Sequence, residues 1–158
     1  MTLRLVFTAG TGVAGAVIRL GTWSRAAHVG GWLDDGRILD ATPSAGVSAH
    51  FGISGRVVGI FEVNCPSDVS RAAVAFATEQ LGQPYDWTAI AGFFARRDWR
   101  APGRWFCMEL WLAAFEAAEW PLLRLRHVNR GSPRDGMLSP RLAEIPVSEG
   151  VRRALALR

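Results

Sequence analysis

The hydrophobic pattern of this chain changes period once, close to residue 65, and that change limits the folds it can adopt. Before it the apolar runs are short and strand-like: Leu3 to Phe7, then "HVGGWL" and "GRILDAT" on either side of Asp34-Asp35-Gly36, then "RVVGIFEV". An Asp-Gly turn between two apolar runs is a strong short-range hairpin signal. After it, Val69, Ala72, Ala73, Phe76 and Ala77 recur at helical spacing. Ser67 or Asp68 can cap that helix, and Gly82 stands where it ends. Cys107, Leu110, Trp111, Ala114 and Ala118 form the stripe of a further helix that Pro121 closes. Strands first and helices second predict an α+β fold, with an antiparallel sheet and helices to one side.

The segments between these elements are less regular. "ATPSAGVSAHFGISG" reads as a loop, "QPYDW" as a turn, Thr88 to Ala95 as a short apolar helix, and "RRDWRAPGRW" as a basic, Trp-bearing loop. Beyond Pro121 the chain is rich in Arg and Pro, which predicts an extended, ordered tail ending in a short helix. No internal repeat is present. At 158 residues, with 49% hydrophobic and 20% charged residues, residues 1–158 read as one folded domain rather than a disordered chain.

Gly10-Thr11-Gly12-Val13-Ala14-Gly15 is a literal G-x-G-x-x-G after an apolar run, with Asp34 19 residues past Gly15. A dinucleotide fold would place its ribose-binding acid near there. That fold also needs strands alternating with helices, and here the second strand feeds straight into a hairpin. The motif therefore reads as a glycine-rich turn before a short helix around Ala14 to Leu20, with no nucleotide. The uncharged stretch from Leu5 to Ile18 is too rich in glycine and threonine for a signal peptide. No run of apolar residues is long enough for a spanning helix.

The formal charge is +4 and every basic residue is arginine. Spread evenly, such charge only solvates a surface, and no nucleic-acid-binding motif accompanies it. Cys65 and Cys107 are the two cysteines, without a C-x-x-C. Free thiols in a reducing, cytoplasmic setting fit this best. His28, His50 and His127 show no metal-ligand spacing, and no metal or other cofactor is expected.

Cys107 is the residue most able to do chemistry. In "RWFCMELWLAAFEAAEW" its sulfur falls in a first helical turn, where exposed N–H groups and the helix dipole favour a thiolate. Arg96, Arg97, Arg100 and Arg104 precede it within eleven residues and push the same way if they fold near it. Its spacing equally suits a small apolar residue facing the core. His28 opens one strand of the hairpin and Asp40 lies across it, so a turn centred on Asp35-Gly36 brings the two near pairing distance. A cross-strand carboxylate would fix the imidazole tautomer and stabilise its cation, the orienting half of a nucleophile–base–orienter triad. Each residue also has a plain structural reading, as a strand-end acid and a satisfied interfacial histidine. Cys65, before Pro66 at a strand end, reads as structural. His50, in its Gly-rich loop, could face a cleft but reads more readily as a surface residue, and Glu109 as a helix-start charge pointing away from the cysteine face.

A strand opening with "HVG", a following "ILDA" with a downstream "GV", then "LGQPYDW", then "WFCMEL" at a helix start resembles the circularly permuted, papain-like branch of the NlpC-type cysteine hydrolases. In that branch histidine precedes cysteine. The lead-in "FTAGTGVAGAVIRLGTWSRAAH" is similar to what such proteins carry before their histidine, and the resemblance runs from Leu5 to Glu119. It implies a papain-like sheet or small barrel packed against helices, with Cys107 as nucleophile, His28 as general base and Asp40 as the orienting acid. Tyr85 matches a tyrosine near the nucleophile, able to donate a hydrogen bond to an oxyanion. Two positions depart from the pattern: Met108 stands where serine is frequent, and Asp40 where glutamate is frequent.

The resemblance implies a thiol-dependent hydrolase or acyltransferase, such as a cysteine peptidase or amidase, acting on amide, peptide or acyl bonds. Small peptides, cell-wall peptides and lipid-acyl groups are the expected substrates. Contact with a membrane stays open, as does the oligomeric state. The rival is a catalytically inactive binding or assembly module on the same fold.

Overall fold

The computed structural model describes residues 2–88, 91, 102–125, 127 and 131–155. In chain order the elements are β1 (Arg4–Thr8), α1 (Gly12–Thr22), β2 (His28–Trp32), β3 (Ile38–Thr42), β4 (Gly46–His50), β5 (Val57–Val63) and α2 (Ser67–Glu79). They are followed by α3 (Cys107–Ala117), α4 (Pro133–Met137), β6 (Leu142–Ile145) and α5 (Glu149–Ala154). The strands form one six-stranded sheet in the order β4-β3-β2-β1-β5-β6, and every pairing in it is antiparallel. The α+β class and the antiparallel sheet expected from the order of periodicities are observed, but the helices are not all to one side: α2 and α3 cover one face and α5 packs on the other.

Alternation of side chains across the strands divides the interior into two layers. Leu3, Leu5, Phe7, Val29, Leu39 and Phe61 point to one face, where they pack with Leu110, Trp111 and Phe115 of α3. α2 lies against α3 in the same layer. Val6, Ile38 and Ile60 point to the other face and meet Leu155, just past α5. α3 is buried on all sides from Cys107 to Phe115. Its apolar character all round is therefore that of a central helix rather than of one resting on a surface.

The structure corrects several expectations. The stretch read as a loop after Thr42 contains β4, a strand with few large apolar residues. Its ladder to β3 holds one edge. The other edge is sealed by two backbone bonds, Val47 N–H to the Gln83 carbonyl and Gly82 N–H to the Val47 carbonyl, both 2.9 Å. Gly46 has φ +66°, and a Cβ there would run into the Gln83 carbonyl, so glycine permits both the turn and this closure. α2 is capped by Pro66 without a side-chain bond, so neither Ser67 nor Asp68 is its cap. Ser67 and Asp68 sit inside the first turn, where the carboxylate of Asp68 complements the helix dipole. The tail beyond Pro121 is more than extended chain. It folds as α4, β6 and α5, and β6 adds a sixth strand beside β5. Most of the helix expected at Thr88 to Ala95 lies outside the described residues, as do Arg96, Arg97 and Arg100 of the basic loop.

The glycine turn does not open a Rossmann unit, because α1 leads into a strand antiparallel to β1. α1 starts inside the motif, at Gly12, and ends on Trp23. Among the described residues no helix is long and apolar enough to cross a membrane.

Candidate functional site

Asp40 sits in β3 of the hairpin that the Asp-Gly turn makes, with Ile38 as its neighbour on the same face. The hairpin pairs Gly31 with Leu39 and Trp32 with Ile38. Continuing that register sets Gly30 opposite Asp40 and Thr42 opposite His28, so His28 and Asp40 are diagonal rather than direct partners. Diagonal neighbours are within reach of long or aromatic side chains, and His28 Nε2 lies 2.7 Å from Asp40 Oδ2. Gly30 keeps this diagonal open. A Cβ on Gly30 would meet the Ile38 side chain and come within 3.3 Å of the Asp40 Cβ.

Asp40 is buried and has a second partner that the sequence reading missed. His50 Nε2 lies 3.2 Å from Asp40 Oδ1, so one carboxylate is held between two imidazoles. His50 was expected in a surface loop. It stands instead on β4, whose register sets it opposite Ile38 and Ser48 opposite Asp40, which makes His50 another diagonal neighbour of the acid. Only the existence of β4 reveals this, and the Gly-rich segment gave no periodic signal for that strand.

Cys107 is the first residue of α3. Its N-cap, Phe106, supplies no side-chain acceptor, so the N–H of Cys107 is outside the helix's own ladder. The loop before α3 is fixed by a parallel bridge between Tyr85 and Trp105. Two backbone bonds tie it down, from Trp105 N–H to the Pro84 carbonyl and from Asp86 N–H to the Trp105 carbonyl, each 3.1 Å. This bridge sets "PYD" beside "WFC".

The His28 ring feels three influences. Burial disfavours its cation, and this is the largest effect taken alone. The charge that Cys107 bears when ionised, hydrogen bonds to Asp40 and Cys107, and the charge of Asp40 oppose it and together raise the pKa from 6.5 to about 10. With 16% of its side chain still open to solvent, the ring is not fully withdrawn from water. The balance favours the protonated form of His28 at neutral pH. The Tyr85 phenol is also pushed up, first by burial and then by the charges of Cys107 and Asp86, so it remains a hydrogen-bond donor.

A cleft of about 340 Å³ opens over these residues. It is lined by His28, Asp40, His50 and Tyr85, and its rim includes the glycine turn and Thr42. The motif that resembles a nucleotide loop is thus one wall of the cleft. Cys107 is 2% exposed and is not on that wall. Met108, the departure from serine, faces the core. A side chain at Gly136 would meet its sulfur at 2.6 Å, and Phe7 lies beside the same spot. Glu109, in the first turn of α3, is fully buried. Cys65 and Cys107 are both free thiols, and Cys65 Sγ lies 3.1 Å from Ser70 Oγ at the start of α2, which agrees with a structural part.

No protein-family model and no curated protein matches the chain. Among solved structures, it is similar to the metalloprotein yiiX (DUF1105) of Escherichia coli O157:H7, with a TM-score of 0.66 and 13% identity. The similarity covers 92% of this chain and 96% of that one. At that identity the likeness shows a shared fold. Among the described residues no group of three or more His, Cys, Asp or Glu side chains is arranged to hold a metal ion. The Nε2 atoms of His28 and His50 are both taken up by hydrogen bonds to Asp40, so the described residues do not fit a metal centre.

Proposed function

We propose that this protein is a thiol-dependent hydrolase or acyltransferase of the permuted papain-like kind, with Cys107, His28 and Asp40 as its triad. The observation that carries this reading is geometric: His28 Nε2 lies 2.7 Å from buried Asp40, and the same ring hydrogen-bonds Cys107, contacts that favour its protonated form. A histidine that holds its proton against a cysteine is the resting state of a thiolate–imidazolium nucleophile. The shared fold of yiiX is compatible with this reading and names no activity for it.

The chemistry follows from the arrangement. Cys107 Sγ attacks the carbonyl carbon of an amide or ester, a C–S bond forms, and the carbonyl electrons move onto oxygen. The Cys107 N–H and the Tyr85 hydroxyl are donors for that oxyanion. On collapse, His28 gives its proton to the departing nitrogen or oxygen and a thioester remains. His28, now neutral, takes a proton from water or a second acceptor, which attacks the thioester; collapse expels the Cys107 thiolate beside the restored imidazolium. Asp40 keeps the ring's tautomer and orientation through both halves.

One observation favours the rival, a binding module without turnover: the buried sulfur of Cys107 stands off the cleft wall. Alkylation with iodoacetamide at about neutral pH separates the two. The catalytic reading expects Cys107 to react while Cys65 does not, and His28→Ala to slow that reaction by at least about tenfold. Equal, slow labelling in wild type and variant would favour the binding module.

A further inference from the structure

The helix beside the cleft turns an apolar face to solvent. Val13, Val17 and Leu20 of α1 follow one another at four- and three-residue spacing, and all three are exposed, Leu20 at 77%. Trp23 continues the stripe and is 88% exposed. Its backbone is in the left-handed region (φ 51°), where its N–H caps the helix by bonding to the Arg19 carbonyl. A bulky residue is unfavourable in that conformation, and here it projects an indole into solvent. Such a stripe is the opposite of what a solvated helix shows.

The stretch of chain that carries the stripe bears charges of one sign only, and Arg4, on β1, is paired with Glu62 at 3.6 Å. Residues 1–33 contain no Asp or Glu, and they carry Arg4, Arg19 and Arg25. Arg19 binds the Ala9 carbonyl at the foot of the helix. Arg134 donates to the Thr22 carbonyl at its end (3.1 Å). Arg25 and Arg56 are exposed, and the Arg56 carbonyl accepts the Ala9 N–H (2.9 Å), which holds Arg56 at the base of the glycine turn.

We infer that α1 and Trp23 dock the protein on an anionic lipid surface. An apolar stripe with a terminal tryptophan and flanking arginines matches the layered polarity of a bilayer interface, acyl chains below and anionic headgroups at the level of the guanidinium groups. A second copy of the chain fits poorly, because pairing two such faces brings arginines against arginines. Three aliphatic side chains and one indole also make a face much narrower than a stable protein interface, which buries about 800 Å² per partner. Gly12 and Val13 belong both to this end of α1 and to the cleft rim, so docking sets the cleft mouth at the headgroup layer. The inference stands on the surface and does not depend on the triad.

Flotation of the full chain with vesicles tests it, using phosphatidylcholine alone and phosphatidylcholine with a third phosphatidylglycerol. The expected result is binding to the anionic vesicles only, weakening as salt rises. Val17→Glu and Leu20→Glu, neither of which lies in the triad, should each reduce that binding about tenfold or more, with an unchanged circular dichroism spectrum and melting temperature. Two results overturn the inference. One is wild-type protein that stays with the buffer at low salt, or whose binding survives both substitutions. The other is sedimentation showing a dimer that the same substitutions dissociate, which would assign the face to a second copy.

Discussion

Asp40 lies diagonally across the β2–β3 hairpin from His28, not opposite it, and the two meet at 2.7 Å over the empty position of Gly30. A direct pair would have put both side chains in one narrow cross-strand slot. On the diagonal the imidazole meets Asp40 and also hydrogen-bonds Cys107.

Asp40→Asn keeps the shape and removes the charge. His28 should then lose its proton at a lower pH than in the wild type, readable as a fall in the ring's NMR titration midpoint. Turnover, once a substrate is found, should drop by about 100- to 10,000-fold. An unmoved midpoint would mean that Asp40 only ends a strand and that Cys107 alone holds the ring.

The His28 proton also makes stability depend on pH. Its pKa is raised in the folded chain, from 6.5 to about 10, so the folded state binds the proton more tightly than the unfolded state does. That contribution is fully present below about 6.5 and is lost as pH rises through about 10. Melting curves of wild type and His28→Gln should therefore converge as pH rises across this range. Each kcal/mol lost lowers the melting temperature by about 2–4 °C in a chain of this size. A gap that stays constant with pH would place the proton elsewhere.

Gly30→Ala tests the diagonal directly. The added methyl meets Ile38 and Asp40, which should destabilise the protein by about 1–3 kcal/mol and lengthen the His28–Asp40 contact. The accompanying signature is a lowered His28 midpoint in the variant. Normal stability together with an unchanged midpoint would show that the hairpin has room the geometry denies.

Met108→Ser would restore the residue frequent in the resembling family. Because Met108 packs against Gly136 and Phe7 rather than facing the cleft, the change should destabilise the protein by about 2–5 kcal/mol. Per folded molecule, the alkylation rate of Cys107 should stay as it is. A faster or slower thiol in the folded variant would put position 108 in the site after all.

The amino-acid sequence by itself determined the class of fold, the hairpin and the helix that starts at Cys107, because each depends on local information. These are the change of period near residue 65, the Asp-Gly turn and an apolar stripe at helical spacing. It also singled out His28, Asp40, Tyr85 and Cys107. Only the tertiary structure decided how they meet. β4 forms because β3 and the Gln83 backbone hold its two edges, not because its own residues favour a strand, and without β4 there is no His50 on Asp40. The glycine motif became a cleft wall, and α1 an exposed apolar helix, only once the sheet order put β1 beside both β2 and β5. Met108 faced the core for the same kind of reason. Which side of a helix is inside depends on what packs around it, and for α3 that is β2, β3, α2 and α4, which no local pattern brings together.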